Sequence, residues 1–280
     1  MAISMIAAAI PLLVAAFAWW ISTGFVLWLV GRPAATFKVS AWAAAFAMAG
    51  ATIAVLHLRG NVTSAGAYGG FLAGLILWAW HEIMFLLGFV SGPRKTACPD
   101  GLSLWQRFIV STQTIIHHEV AIAVHALVIA ILSWGAANKT ALWTFLLLWG
   151  MRLSAKFVVF FGAPNLSADF LPRHLTYLTS YFSTRTASSF FPVAIVGATS
   201  VAAFLIWLAS AAMPGTYAAV SWTLLASLAV LAVIEHWALV IPLPDAALWR
   251  WAVPNTTGVR PLHMTETRPQ TGAKAKNNKL

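Results

Sequence analysis

Residues 6–30 read IAAAIPLLVAAFAWWISTGFVLWLV, without one charged side chain. A helix needs about 20 apolar residues to cross about 30 Å of hydrocarbon, so this stretch is long enough to span a bilayer by itself. It lacks the basic n-region of a secretory signal, and its apolar core is too long for one. It reads as an anchoring helix. Working outward, further apolar runs lie near 40–58, 67–90, 107–134, 141–161, 189–212 and 217–241. Seven such runs predict an all-α polytopic membrane protein.

Composition supports this reading. Hydrophobic residues make up 60% of the 280 positions and charged residues only 9%, against about 25% charged in a soluble domain. Too few charges are present to cover a water-facing surface of this size. Fifteen Trp and seventeen Phe suit aromatic belts at the two membrane interfaces. The single cysteine, Cys98, excludes an internal disulfide and a Cys-rich zinc site.

The connections carry turn residues: Gly31-Arg32-Pro33, Arg59-Gly60-Asn61, Ser91-Gly92-Pro93, Gly135 and Met213-Pro214-Gly215. The longest internal connection, about 163–188, contains Asp169, His174, Tyr177 and Tyr181 and predicts an interfacial helix. Residues 1–244 therefore form the transmembrane domain, and 245–280 a basic tail without fixed structure. No internal repeat is present, which removes support for an inverted-repeat transporter. The Asn-X-Ser/Thr sequons, among them Asn61 and Asn138, read as chance matches.

The net charge of +10 could suggest nucleic acid, but its distribution follows the membrane instead. Setting aside Arg152 and Lys156 inside a span, one face holds only Arg59 and Lys139. The other holds Arg32, Lys38, Arg94, Lys95, Arg107, Arg173, Arg185 and six basic tail residues. Basic loops stay cytoplasmic, so the N-terminus is expected in the periplasm and the tail in the cytoplasm, in a bacterial inner membrane.

Four spans carry groups that are costly in hydrocarbon: His81 and Glu82; His117, His118, Glu119 and His125; Arg152 and Lys156; Glu235 and His236. A charge at a helix centre costs about 2.5–3.5 kcal/mol on insertion scales unless paired or wet. From span ends and a rise of about 1.5 Å per residue, all five charges can meet between the midplane and the tail side. Three readings follow. One is a structural network in which Arg152 and Lys156 neutralise Glu82, Glu119 and Glu235. Another adds a ligand, either a divalent iron, manganese or zinc held by Glu82, Glu119 and Glu235 with His118, or a tetrapyrrole with His118, His81 or His236 as axial ligand and Arg152 and Lys156 on its carboxylates. The third is proton handling. The zincin pattern fails, since Phe85 and Ile122 stand where its second His belongs. The di-iron Glu-x-x-His pattern is absent.

Several longer blocks are distinctive. They include Trp19-Trp20-Ile21-Ser22-Thr23-Gly24, Trp78-Ala79-Trp80-His81-Glu82, Gly92-Pro93-Arg94 with Ala97-Cys98-Pro99, and His118-Glu119. Further on come Leu148 to Lys156, Asn165-Leu166, Phe170-Leu171-Pro172, His174 to Phe182, Glu235-His236-Trp237 and Leu248-Trp249-Arg250-Trp251. With these blocks in order over about residues 10–252, the chain resembles the photosynthetic complex assembly protein 2 (PuhE) family of anoxygenic phototrophic bacteria. Phe157 stands where that family's pattern has Leu-Asn after the lysine, and the tail is private to this chain. The resemblance implies a role in building the reaction-centre and light-harvesting apparatus, linked to bacteriochlorophyll production. It names a process rather than a reaction. Both an assembly factor holding bacteriochlorophyll or a reaction-centre subunit and a metal-dependent membrane enzyme on a tetrapyrrole or quinone stay open. Expected partners are the lipid bilayer and reaction-centre or pigment-biosynthesis proteins, in the photosynthetic membrane, with no nucleic acid.

Overall fold

The computed structural model describes residues 2–166, 171–184, 187–242, 248–249 and 251–252. Among them it contains seven long α-helices and no strand: α1 Ala2–Val30, α2 Phe37–His57, α3 Ser64–Leu86, α4 Leu104–Leu132, α5 Thr140–Phe161, α6 Phe191–Ala211 and α7 Tyr217–Ala238. All seven are long and apolar enough to cross a membrane. The expected spans match them to within a few residues. At one end the difference is a change of path: α3 stops at Leu86, so that 87–90 turn back instead of extending the helix. Of the tail expected over 245–280, the described residues 248–249 and 251–252 include a packed stretch, where Trp20 Nε1 donates to Leu248 O at 2.9 Å and Trp249 Nε1 to Trp20 O at 3.1 Å. The rest lies outside the described residues.

Local chemistry sets the helix starts. Thr63 caps α3 by accepting from Gly66 N, and Thr216 caps α7 by accepting from Ala219 N. Ser103 and Gln106 form a reciprocal capping box at α4, satisfying two of the amides that a helix start leaves free. The α6–α7 turn needs a left-handed residue, which Gly215 supplies at φ +79°.

α3 is the central helix, packed by α1, α2, α5 and α7. α4 leans on α5 and α3, and α6 rests chiefly on α7. Helices α1, α2 and α6 turn large apolar side chains outward, such as Phe17 on α1, Trp42 and Phe46 on α2, and Phe204 and Trp207 on α6. α4 is outward-facing as well. Val120, Val124, Leu127 and Ile131 form its exposed stripe while His118, Ile122, Ala126 and Ile129 face inward, the spacing of one helix face against the other.

Each end of the bundle is tied by polar contacts. On the face where α1 begins, Asn138 is buried and uses its whole amide. It donates to Asn61 O at 3.1 Å and Gly66 O at 2.8 Å, and accepts from Thr140 N at 3.0 Å and the Tyr217 hydroxyl at 3.1 Å. This joins the α2–α3 loop to α5 and α7. On the opposite, tail-side face, Arg173–Tyr181 forms a 3-10 helix. Instead of lying free on the surface, it buries Leu175, Leu178 and Tyr181 and packs on Phe85. His174 Nε2 meets Leu86 O at 2.9 Å, and Arg94 Nε donates to the Tyr181 hydroxyl at 2.6 Å.

Gly92 sets the depth of the 91–94 loop. A Cβ there would stand 2.0 Å from Gln113 O, so only glycine lets the loop lie directly on α4. From that position Ser91 O accepts from His118 N at 3.0 Å.

Candidate functional site

Intramembrane charge falls on helix faces turned toward one another. On α5, Trp149, Arg152 and Lys156 recur at helical spacing and share a face. Arg152 Nη2 reaches Glu82 Oε2 on α3 at 3.3 Å. Lys156 is hydrogen-bonded to Glu119 Oε1 on α4, while Trp149 Nε1 donates to Glu119 Oε2 at 3.2 Å. Glu235 on α7 accepts from Trp19 Nε1 on α1 at 3.0 Å. Arg152 is also in the electrostatic field of Glu235 and Glu119, after that of Glu82. The five charges thus fall in two ion pairs and one carboxylate held by an indole.

The histidines divide by what their nitrogens touch. His81 Nε2 and His125 Nδ1 share a hydrogen bond of 2.8 Å, so one donates and the other accepts. His236 is doubly engaged, with Ala232 O at 2.7 Å and Ser154 Oγ at 3.1 Å. His117 is exposed and faces away from the cluster. His118 differs from all of these. It is 1% exposed, its ring lies against Phe85 with centroids 4.6 Å apart, and neither ring nitrogen has a hydrogen-bond partner. Its Nε2 faces Glu82 Oε1 at 3.9 Å, and that oxygen is also without a partner. Buried polar atoms are nearly always satisfied, so this pair marks the cluster's unspent hydrogen-bonding capacity.

The residues expected to hold a metal are not drawn to one point. Glu82 and His118 face each other, whereas Glu119 is taken by Lys156 and Trp149, and Glu235 by Trp19. Among the described residues, no group of three or more His, Cys, Asp or Glu is arranged to hold a metal ion. As for a tetrapyrrole, an axial imidazole must present a nitrogen to a planar ring, and His81, His118 and His236 are each only 1% exposed. In this arrangement none offers a macrocycle an open face. Arg152 is the accessible member of the cluster, with its side chain 48% exposed.

At the tail-side edge of the cluster, Tyr177 of the 3-10 helix lies beside Ser91. Burial raises its phenol above the ordinary value.

Composition and spacing singled out the charged residues but not Trp19 and Trp149, the indoles that hold two of the three carboxylates. Trp149 has a sequence signal, its place on the Arg152–Lys156 face; Trp19, on a distant helix, has none.

Fold and site together define a polytopic helical membrane protein with an ion-paired, partly unsatisfied polar centre. The chain belongs to the family described as "Protein of unknown function (DUF3623)", whose model matches residues 5–259. It is also 34% identical over 244 residues to an "Uncharacterized 30.4 kDa protein in puhA 5'region" of Rhodobacter capsulatus, covering 85% of this chain and 88% of that one. No solved structure matches it.

Proposed function

We propose that this protein is a non-enzymatic membrane factor for assembly of the photosynthetic reaction-centre and light-harvesting apparatus, acting through production or delivery of bacteriochlorophyll. The relative's place in the puhA region, within a photosynthesis gene cluster, supports the process. The single observation that carries the site is His118, fully buried with two free nitrogens beside the free oxygen of Glu82. A scaffold has no use for such a pair, because unsatisfied buried polar atoms each cost about 1–3 kcal/mol. In this reading Arg152, the exposed member of the cluster, meets a pigment carboxylate or a nascent subunit, and His118 and Glu82 respond behind it. His81, His236 and Lys156 hold the surrounding helices in register. The protein acts in the bacterial inner, photosynthetic membrane, with its basic tail in the cytoplasm.

The 3.9 Å between Glu82 Oε1 and His118 Nε2 also favours a second reading, a metal-dependent membrane enzyme acting on a tetrapyrrole or quinone. One divalent ion could bridge that gap, with further ligands from the substrate.

Replacing His118 with Leu tests both. The apolar side chain fills similar space and strands nothing, so membrane abundance by immunoblot should stay at the wild-type level. Reaction-centre absorption should collapse. Normal absorption at normal abundance removes His118 from function. Stoichiometric iron, manganese or zinc in the purified wild-type protein, lost in His118→Leu, selects the enzyme reading.

A further inference from the structure

Away from this cluster, the opposite face of α5 borders an apolar groove of about 610 Å³ between α5 and α6. Leu147 and Gly150 line one wall, Gly197 and Val201 the other, and Trp222 and Leu225 of α7 form the floor. From Phe190 to Leu208 the α6 wall runs about 27 Å at the helical rise, nearly the depth of the hydrocarbon core. Gly150 and Gly197 have nothing within 4 Å of where a Cβ would stand. No close helix contact explains either glycine, and each faces open space in the groove.

A second, polar pocket of about 300 Å³ lies on the tail side between the start of α4 and the end of the 3-10 helix, lined by Arg107, Ser180, Phe182, Ser183 and Thr184. Arg107 is held rigidly. One Nη2 donates to Tyr181 O at 2.6 Å and Phe160 O at 3.2 Å, and its guanidinium sits 4.8 Å over the Phe160 ring. Among the described residues it has no carboxylate within ion-pair distance. A fixed arginine fork ringed by hydroxyls suits a phosphate oxygen.

Aromatic rings join the two pockets. Phe108 contacts Phe160 and Phe157, with centroids 5.6 and 6.4 Å apart, and Phe157 meets Phe190 at 5.7 Å, where the groove begins. Beside this seam Trp105 is 68% exposed, as an interfacial anchor would be.

We propose that the two pockets together bind one anionic phospholipid of the surrounding bilayer. Its phosphodiester sits on Arg107, Ser183 and Thr184, and one acyl chain crosses the Phe157–Phe190 seam into the α5–α6 groove. The charge count selects this occupant. Among the described residues one arginine with neutral hydroxyls lines the pocket and matches a monoanionic phosphodiester, whereas an isoprenoid diphosphate, with two or three negative charges, brings one or two more than that arginine can neutralise. The groove also opens sideways toward lipid, where Val193 and Phe204 are exposed. The site owes nothing to the assembly reading and holds whether or not that reading does.

The test is native mass spectrometry of the full chain released from nanodiscs of phosphatidylglycerol and phosphatidylcholine in equal amounts. One phospholipid per chain should be retained, with phosphatidylglycerol favoured about fivefold to tenfold, the effect of one well-placed basic group. Arg107→Gln should remove that preference. Gly150→Leu with Gly197→Leu puts side chains into the groove from positions where a Cβ meets nothing within 4 Å and should abolish retention, whereas Gly60→Ala, open but outside the groove, should not. Equal retention of the two lipids, or retention by the groove-filled variant, overturns the proposal. Displacement of phosphatidylglycerol by equimolar geranylgeranyl diphosphate overturns its choice of occupant.

Discussion

Glu82 and His118 face each other across 3.9 Å inside the bundle, too far for a hydrogen bond, and neither facing atom has another partner. The other members of the cluster are engaged. Both oxygens of Glu119 are taken, as are both nitrogens of His236, and His81 is bonded to His125. Within the cluster, free hydrogen-bonding capacity thus lies where α3 meets α4, beside the exposed Arg152. Exchange of a ligand or a proton has its natural place there, because no existing bond must first break.

His118→Leu and His236→Leu should therefore part company in stability. Removing a buried group that has no partner strands nothing, and the apolar replacement removes two unsatisfied nitrogens. His118→Leu should melt in detergent at or above the wild-type temperature. His236→Leu forfeits bonds to Ser154 and Ala232 and should lose about 1–2 kcal/mol. A melting temperature for His118→Leu well below that of His236→Leu would show that the His118 nitrogens are bonded after all.

Gly92→Ala should destroy the tail-side end of the bundle. Its Cβ would meet Gln113 O at 2.0 Å and Thr114 C at 2.5 Å, and both are backbone atoms of α4 that have no rotamer to change. The 91–94 loop must lift, taking Arg94 away from Tyr181. Membrane abundance should fall severely. Gly197→Ala, in open space, should be neutral or gain about 0.5–1 kcal/mol from helix propensity. Equal abundance of the two variants would refute the close approach.

Orientation follows from the basic residues. A reporter fused after Gly215 should behave as periplasmic and one fused after Trp251 as cytoplasmic, because Arg59 and Lys139 stand nearly alone on the first face. A cytoplasmic signal after Gly215 would reverse the assignment of every loop.

The spans were legible because length and apolarity alone specify a membrane helix, and the turn residues between them left little freedom. The depths of the charges were also legible, since residue depth in a straight helix is simple arithmetic. Partner choice was not. Whether Lys156 takes Glu119 or Glu82 depends on helix rotation, which a uniformly apolar helix does not encode in any periodic pattern. Asn138 illustrates the same limit. Its sequon reads as chance, and only the fold reveals a buried amide with every donor and acceptor in use. Nor did sequence depth foretell how closed the histidines are, because burial to 1% at His81, His118 and His236 is set by neighbours on other helices.

The two ion pairs should differ in cost, and the difference separates scaffold from site. Lys156 and Glu119 are 23% and 16% exposed, so Glu119→Gln leaves a largely buried ammonium uncompensated. That should cost about 3–5 kcal/mol and show as lost membrane abundance. Glu119→Gln with Lys156→Met removes both charges and should restore abundance. Arg152 is half-exposed and keeps the fields of Glu235 and Glu119 when Glu82 goes. Those carboxylates still balance it, so Glu82→Gln should keep most of its protein. If Glu82 acts with His118, that same variant should still fail to accumulate reaction centres, while the Glu119–Lys156 double variant accumulates them normally. Immunoblots read beside reaction-centre absorption resolve the two effects. Loss of pigment complexes in strict proportion to lost protein across all these variants would reduce the whole cluster to a structural ion-pair network.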